Sequence, residues 1–389
     1  MEAGEVVAKL AELPGGQAVA AAFSEDESVW LVGGAVRDLM LGRTPFEIDL
    51  VIEGPLDSAL VKLGGEAERY EQFGTATVNL HGARIDLASA RRESYPQPGA
   101  LPEVEPAALA DDIMRRDFTI NAVAVRIADG AVLSHPLALE DLAAGVLRVL
   151  HNQSFVDDPT RLWRCARYVT RLGFTVDEQT AQLAADAGPG SVSGERFGHE
   201  LRLALSEPNP MAVFAAVERL NPSALPVGFT TSPARLEEAL ELLGDDGRRD
   251  LLTLAACSEG IELDLLVRWL DYLQFSSSER DVVSLSSRYV TGSPLRSAQS
   301  RAEVAAAARS APLEAVALAG GVNAALWINE LRFISLDISG DDMLAAGAQP
   351  GQALGAGLQH ALNLTLNGEI SGRDQQLAAA IQRAAELAP

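Results

Sequence analysis

Two carboxylates separated by a single residue are the first candidates for chemistry in this sequence. Glu47 and Asp49 lie in the run FEIDLVI at 46–52, where apolar residues alternate with them. In a β-strand, residues i and i+2 point to the same face, so we expect the carboxylates side by side with Phe46, Ile48 and Leu50 on the other face. Hard oxygen ligands at this spacing suit Mg²⁺. The alternative is a solvent-facing acidic pair on an edge strand.

A glycine turn precedes the two carboxylates. SVWLVGG at 28–34 predicts a short strand that ends in a glycine pair, and AVRDLMLG at 35–42 predicts a helix. Gly33 and Gly34 would let the backbone approach phosphate oxygens closely, and Arg37 would neutralise part of a triphosphate. A glycine turn, an arginine and paired carboxylates within 17 residues together indicate a site for a nucleoside triphosphate.

Ordered motifs in roughly the first 205 residues resemble those of the class II nucleotidyltransferases, which are the CCA-adding enzymes and bacterial poly(A) polymerases. The motifs are LVGGAVRDLMLG followed by EIDLVIEG, FGTATV…RIDLASARRESY at 73–95, RRDFTINAVAV at 115–125, DDPTRLWRCARYVTRLGF at 157–174, and ERFGHEL at 195–201. The resemblance implies that an RNA 3′-hydroxyl attacks the α-phosphate of CTP or ATP and that pyrophosphate leaves. The expected partners are therefore a tRNA 3′ end, CTP and ATP.

The same resemblance assigns roles at the head of the chain. It implies that Gly34 and Arg37 hold the triphosphate, and that Glu47 and Asp49 are catalytic and bind metal, with two Mg²⁺ ions expected. One residue departs from the family, which has aspartate where this chain has Glu47. Glutamate is one methylene longer and must fold back to reach the same point, so we expect slower turnover or a different metal preference.

A third carboxylate stands in the neighbouring strand-like run RIDLA. Asp86 is a candidate third metal ligand there. The alternative for this residue is a structural acid that pairs with Arg84 or Arg91.

The segment RRDFTINA at 115–122 resembles the one that contacts the ribose. Arg116 is the candidate for direct contact with the nucleotide, and Asp117 and Asn121 would support the ribose side, because their donors and acceptors suit a 2′-hydroxyl. The alternative is a helix–strand junction held by an Arg–Asp pair.

The segment DDPTRLWRCAR resembles the family's base-reading element, with Asp158 and Arg161 at the matching positions. A carboxylate would accept from the amino group that C and A share, and a guanidinium would donate to the adjacent ring acceptor. Arg164 and Arg167 continue the arginine spacing along one side of the expected helix, and we include them among the nucleotide-binding candidates. The alternative is structural, because Asp followed by Pro is also a signal for the start of a helix.

Charge argues against a general nucleic-acid binder. Asp and Glu number 54 and Lys and Arg 31, for a net charge of −23. However, all the basic residues except Lys9 and Lys62 are arginines, which suit bidentate contacts with phosphate. Net charge constrains association and solubility rather than what one local groove binds.

The organisation along the chain indicates an α+β protein. The strand-like runs TATVNL at 75–80 and ARIDLA at 83–88 are joined by the turn-like pair His81-Gly82, which predicts a hairpin. The Pro- and Gly-containing segment 93–106 predicts a loop, and AGPGSVSG at 187–194 predicts a break between helices.

Residues 1–150 are predicted to form a polymerase-β-like catalytic head with a mixed sheet, residues 151–215 a helical neck, and residues 216–389 a helical body and tail that binds RNA. No apolar run reaches the length of a membrane span, and two cysteines form no disulfide framework. We therefore expect a cytoplasmic protein without membrane contact or disulfides.

The sequence predicts CCA addition to tRNA by a template-independent nucleotidyltransferase. Rival predictions within the class are a poly(A) polymerase and enzymes that add only CC or only A. A rival from another class is a non-catalytic RNA-binding relative, which Glu47 and the acidic composition favour.

Overall fold

The computed structural model describes residues 3–70, 74–188, 190 and 192–387 of the chain. Phe73 of the FGTATV motif, and Pro189 and Ser191 of a break predicted between helices, lie outside these residues. The chain divides into two compact units, Met1–Leu225 and Pro226–Pro389. The finer division into head, neck and body stays a prediction.

The first unit is built on a mixed sheet. Its strands are β1 (Val29–Val32), β2 (Ile48–Ile52), β3 (Ala67–Tyr70), β4 (Thr75–Leu80), β5 (Ala83–Ser89), β6 (Arg91–Ser94), β7 (Glu103–Pro106), β8 (Val123–Arg126), β9 (Val132–Ser134), β10 (Val146–Leu147) and β11 (Thr175–Val176). Seven of them form one sheet in the order β3-β4-β5-β2-β1-β8-β9, in which β2 and β5 are parallel. The predicted hairpin around His81-Gly82 is confirmed as the antiparallel pair of β4 and β5.

Helices surround this sheet and continue beyond it. In the first unit they are α1 (Ala3–Ala11), α2 (Gly16–Ala22), α3 (Gly33–Met40), α4 (Leu56–Leu63), α5 (Leu109–Met114), α6 (Ala138–Ala144), α7 (Ser154–Asp157), α8 (Arg161–Leu172), α9 (Glu178–Ala185), α10 (Gly194–Leu205) and α11 (Pro210–Leu220). A mixed sheet followed by helices confirms the predicted α+β class.

The second unit is helical throughout its described residues. Its helices are α12 (Leu236–Leu243), α13 (Arg249–Cys257), α14 (Leu263–Tyr272), α15 (Ser277–Gly292), α16 (Arg301–Ala308), α17 (Leu313–Ala319), α18 (Gly321–Asn329), α19 (Gly340–Ala345), α20 (Gln352–Asn367) and α21 (Gly372–Leu387). None of the helices in the described part of the chain has the length and apolar character that crossing a membrane requires.

Alternation along the strands gives the sheet two buried faces. Leu50 of β2 and Leu87 of β5 belong to a core that also contains residues of α1 to α4. Val51 belongs to a second core with Leu109 and Ile113 of α5. Because successive residues point to opposite faces, Asp49 and Asp86 share the face opposite to α1–α4.

Two predictions about local structure were wrong. The strand predicted for 46–52 begins only at Ile48, so Phe46 lies before the ladder and is 95% exposed rather than packed beside Ile48. Alternation places a residue only where neighbouring strands hold the backbone extended. The segment 93–106, predicted as a loop, begins and ends in the paired strands β6 and β7, which form a small sheet of their own.

The last two long helices pack closely enough to make one glycine essential. A Cβ at Gly357 of α20 would lie 2.4 Å from the carbonyl oxygen of Ala380 in α21, whereas a Cβ at Gly355 would meet no atom within 4 Å. We predict that Gly357→Ala destabilises the protein by about 1–3 kcal/mol, because the helices must separate. The matched control Gly355→Ala should leave the melting temperature unchanged or raise it, because alanine favours helix. Equal melting temperatures for the two variants would contradict this packing.

Candidate active site

The turn after β1 accepts only glycine at its first position. Gly33 has a φ of +65°, which favours glycine, and a Cβ there would lie 2.6 Å from Nη1 of Arg116. A Cβ at Gly34 would meet only Arg37, at an ordinary distance of 3.5 Å. The backbone of this turn therefore lies directly against the guanidinium of Arg116.

Three carboxylates meet beside this turn. Asp49 and Asp86 are register partners on the parallel strands β2 and β5, and Glu47 directly precedes β2. One oxygen from each of the three carboxylates lies within 4.8 Å of the others. The structure therefore brings together all three carboxylates that the sequence singled out, although only Asp49 and Asp86 lie within strands.

The structural contacts predicted for Asp86 are confirmed, and its role as a metal ligand stays a prediction. Its carboxylate belongs to this triad, and it also accepts hydrogen bonds from the Thr77 hydroxyl at 2.5 Å and from Nε of Arg84 at 2.9 Å. The same nitrogen lies 3.7 Å from Oε2 of Glu47. Sequence reasoning considered Arg84 only as a structural partner. Its spacing of two residues from Asp86 on one strand was the available signal for a position beside the triad.

Burial and, after it, the close approach of like charges raise the pKa values of two of these carboxyl groups. Burial and the charge of Glu47 raise the pKa of Asp49 to about 7, although Arg116 opposes the shift. Burial, and then Asp86, also raise the pKa of Glu47. Three hard oxygen donors that repel one another are a suitable ligand set for a divalent cation, whose charge would relieve the repulsion.

Arg37 is held rigidly beneath the glycine turn. Its side chain is 3% exposed, pairs with both carboxylate oxygens of Asp38, and donates from Nη1 to Oδ1 of Asn121 at 2.7 Å. It also lies over the ring of Tyr168 in α8, 5.0 Å from the centroid. The tyrosine was missed from the sequence, because nothing local relates positions 37 and 168.

Arg116 has a hydrogen-bond donor that none of the described residues pairs with. It pairs with Asp112 at 3.0 Å, but its Nε is buried with no hydrogen-bond partner in the described part of the chain. An arginine with an unused buried donor next to Gly33 and Asp49 is suited to bind an anionic ligand.

Asp117 links the head to helix α8. It accepts hydrogen bonds from Asn121 at 2.9 Å and from two nitrogens of Arg164 at 2.8 and 2.7 Å. Burial opposes its ionisation, but Arg164 and the hydrogen bond from Asn121 lower the pKa of Asp117 to about 2. Asp117 and Asn121 are thus placed as internal supports, and Asn121 connects this carboxylate to Arg37.

The predicted base-reading residues make internal contacts. Arg161 is 5% exposed and donates to the Ser154 hydroxyl at 2.7 Å and to the carbonyl oxygen of Arg115 at 3.0 Å. Asp158 accepts from the backbone and hydroxyl of Thr160 and also pairs with Arg196 at 2.8 Å. The N-cap of α8 is Thr160 and not Asp158, so the side chain of Asp158 makes structural contacts just before the helix, and its contact with a base stays a prediction.

Arg167 of α8 is bound to a glutamate of α10 and to one just after α10. Arg167 pairs with Glu200 of α10 at 2.8 Å and with Glu207 at 3.0 Å. The sequence indicated neither glutamate as a partner, since they lie 33 and 40 residues away. Arg167 is consequently a structural anchor of α8 in this conformation.

Comparison with known proteins defines the class. Residues 29–148 match the family model of the poly A polymerase head domain. A solved CCA-adding enzyme in its apo form has a TM-score of 0.76 and 25% identity, covering 97% of this chain and 98% of that one. The fold and the triad thus define a nucleotidyltransferase of the polymerase-β-like type.

Two relatives of known name identify the family within this class. A CC-adding tRNA nucleotidyltransferase of Deinococcus radiodurans is 31% identical over 360 residues, which cover 90% of this chain and 88% of the relative. An A-adding tRNA nucleotidyltransferase of Halalkalibacterium halodurans is 40% identical over 219 residues, 53% of this chain. The chain spans about half or less of the length of the A-adding relatives it matches. It belongs to the class II tRNA nucleotidyltransferase family.

The raised pKa of Asp49 predicts pH-dependent binding of metal. With a pKa near 7, the carboxyl is mostly neutral at about pH 6 and mostly ionised at about pH 8, so Mg²⁺ should raise the melting temperature more at the higher pH. Without metal the melting temperature should depend on pH in the opposite direction. The folded state then binds the Asp49 proton more tightly than the unfolded state does, so the contribution of Asp49 to the free energy of unfolding falls as the pH rises. Asp49→Asn should remove both effects, and an equal Mg²⁺ response at both pH values would contradict the assignment.

Proposed function

We propose that this chain is a template-independent RNA nucleotidyltransferase that adds C and A from CTP and ATP to tRNA 3′ ends. The observation that carries the proposal is the convergence of Glu47, Asp49 and Asp86 beside the Gly33 turn and Arg116. Membership of the tRNA nucleotidyltransferase family supports the choice of substrate. An enzyme of tRNA maturation would act in the cytoplasm, which stays a prediction.

The proposed reaction is one displacement at phosphorus. The RNA 3′-oxygen forms a bond to the α-phosphorus as it loses its proton, the bond to the β-phosphate oxygen breaks, and pyrophosphate leaves with that electron pair. Divalent cations held by the three carboxylates, which we propose to be two Mg²⁺ ions, would stabilise charge on the attacking and leaving oxygens. By holding those cations in place, the carboxylates would determine where the reacting phosphate lies.

Arginines around the turn would hold the triphosphate. Arg116 has an unpartnered Nε within the described residues and lies against Gly33, so we assign it to direct contact. Arg37 has three of its donors committed to Asp38 and Asn121, which fix its orientation. A guanidinium held in place before the ligand arrives loses little entropy on binding. Gly34, which has no side chain, would leave room for the triphosphate beside Arg37.

Base selection would occur at the start of α8. We propose that Asp158 and Arg161 reach the Watson–Crick edge of the incoming base, as the family resemblance implies. Both must exchange internal partners to do so, namely Thr160 and Arg196 for Asp158 and Ser154 for Arg161. Arg164 and Arg167 would then support this helix from within the protein.

A second candidate function is partial addition. A CC-adding relative is 31% identical over 90% of this chain, and A-adding relatives are 30% identical over 92% of it and 40% identical over 53% of it. An enzyme adding only CC or only A is therefore the strongest rival, ahead of a poly(A) polymerase or a non-catalytic RNA-binding relative.

One gel experiment separates these activities. Purified protein is incubated with Mg²⁺ and labelled CTP or ATP on tRNAs that lack A, CA or CCA. An enzyme that adds full CCA should extend all three tRNAs to the same CCA end. An enzyme that adds only CC or only A should extend only some of them to that end. Long tails would indicate poly(A) synthesis. Absence of incorporation on every tRNA would overturn the enzymatic proposal.

Substitutions in the carboxylate triad test the reaction centre. Asp49→Ala should abolish incorporation while the protein remains folded, because it removes a ligand from a partly exposed strand face. Glu47→Ala should lose most activity, whereas Glu47→Asp should keep or raise it, because aspartate is the residue usual in the family. Parent-like incorporation by Glu47→Ala would exclude Glu47 from the ligand set.

Base reading by Asp158 is separable from its structural contacts. Asp158→Ala should relax discrimination against UTP and GTP by roughly ten- to hundredfold, the effect of losing about 1–3 kcal/mol of base contact. It should also cost about 1 kcal/mol of stability, because the contact with Thr160 is lost. Arg196→Gln is the matched control, since it breaks the ion pair and keeps the carboxylate. A destabilised Asp158→Ala that still strictly prefers CTP and ATP would refute base reading.

A further inference from the structure

One aromatic ring in the first unit contacts two arginines. Tyr168 lies in α8, and its ring centroid is 5.0 Å from the guanidinium carbon of Arg37 and 5.7 Å from that of Arg164. Arg164 also donates from Nη2 to the Tyr168 hydroxyl at 3.2 Å. The other arginine–ring contacts within the described residues each join one guanidinium to one ring. Tyr168 therefore attracts two cations that come from distant parts of the chain.

Tyr168 completes a closed circuit of contacts. Arg37 donates to Asn121 at 2.7 Å, and Asn121 donates to Asp117 at 2.9 Å. The Asp117 carboxylate also accepts from Arg164 at 2.7 Å. Tyr168 then joins Arg164 back to Arg37. Because each member has two neighbours in the circuit, the position of each side chain is fixed from two sides.

The hydrogen bonds of Arg37 leave donors for a ligand. Nε and Nη2 donate to Asp38, and Nη1 donates to Asn121. A guanidinium has five N–H groups, so these three bonds leave one on Nη1 and one on Nη2. Nη2 lies 3.5 Å from the position that a Cβ at Gly34 would occupy, which places this end of the side chain at the glycine turn. The face of a ring attracts the cation as a whole, so Tyr168 can hold Arg37 without taking up those two groups.

Filling space is the alternative role for this ring. Tyr168 also meets Phe118 edge to face, with centroids 5.7 Å apart and an interplanar angle of 89°. A leucine would fill much of the same volume but would present no π face to a guanidinium. Replacement by leucine and by phenylalanine therefore separates packing from attraction of the cation.

We propose that Tyr168 is a positioning residue, which holds the guanidinium of Arg37 ready for the triphosphate of the incoming nucleotide. The inference rests on the proposed function, which gives Arg37 a triphosphate to bind. Tyr168 acts through Arg37 and need not touch the nucleotide. A guanidinium that is already fixed loses less entropy when it binds phosphate, so Tyr168 should contribute to nucleotide affinity. It should not affect the choice of base, because CTP and ATP carry the same triphosphate.

Equilibrium binding tests this role without requiring nucleotide transfer. Isothermal titration calorimetry with Mg²⁺ and no RNA compares the parent, Tyr168→Leu and Tyr168→Phe for CTP, ATP and inorganic tripolyphosphate. Tyr168→Leu should weaken binding of all three ligands by the same factor, roughly three- to tenfold, which is the loss expected for one contact between a cation and a ring. Tyr168→Phe keeps the π face and should restore most of that affinity. Melting curves establish that each variant is folded, and Tyr168→Met replaces Tyr168→Leu if the latter is not.

Another ring on the same helix gives a matched control. Trp163 is buried in α8 and packs against Phe214 of α11, with centroids 6.3 Å apart. Trp163→Leu should lower the melting temperature and leave the affinity for all three ligands unchanged. If Trp163→Leu weakens binding as much as Tyr168→Leu does, or if Tyr168→Phe binds as weakly as Tyr168→Leu, attraction between the ring and Arg37 is not what matters and the proposal is wrong.

A double substitution shows whether Tyr168 acts through Arg37. In an Arg37→Gln background, Tyr168→Leu should weaken binding little further, because the guanidinium that the ring holds is absent. The same loss in this background as in the parent would mean that Tyr168 acts on the nucleotide by another route. A loss confined to CTP or to ATP would mean that it acts on base reading. Either result would contradict the proposal.

The outcome is distinguishable from failure of the proposed function. If the parent binds CTP and ATP and Tyr168→Leu binds them more weakly, but the parent extends no tRNA, the proposed transfer fails and the role of Tyr168 is supported. If the parent extends tRNA and Tyr168→Leu binds nucleotides with parent affinity, only the inference about Tyr168 fails. A parent that binds neither nucleotide would contradict both.

Discussion

Mutual repulsion of three carboxylates is the constraint on which the first unit depends. Glu47, Asp49 and Asp86 are held within 4.8 Å by the parallel pairing of β2 and β5, and both faces of that sheet are packed against apolar residues. The buried strands stabilise an arrangement that the charges oppose. A divalent cation bound by these carboxylates would relieve the repulsion and stabilise the fold.

A series of hydrogen bonds connects the glycine turn beside this centre to α8. Arg37 beneath the glycine turn contacts Asn121, Asn121 contacts Asp117, and Asp117 holds Arg164. Tyr168 lies beneath the guanidiniums of both Arg37 and Arg164, at 5.0 and 5.7 Å from its centroid. Arg37, which is proposed to hold the triphosphate, is therefore connected through polar contacts to α8, at whose start the base is proposed to be read.

Local patterns in the sequence predicted the elements but not their long-range partners. The glycine turn, the hairpin of β4 and β5 and the triad members follow from spacing and residue type. The pairing of Asp49 with Asp86 depends on which strands become neighbours. Likewise, the contact of Arg167 with Glu207 joins residues 40 positions apart. Phe46 was misplaced because the alternation was extended two residues beyond the paired strand that enforces it.

Substitution of Asp86 shows whether the three carboxylates act as one centre for nucleotide transfer. Incorporation of labelled CTP and ATP and binding of Mn²⁺ are measured for Asp86→Ala beside Thr77→Val, which removes only the hydroxyl that contacts Asp86. We expect Asp86→Ala to lose both nucleotide incorporation and Mn²⁺ binding, and Thr77→Val to decrease both modestly. Parent-like incorporation and Mn²⁺ affinity in a folded Asp86→Ala protein would contradict this expectation.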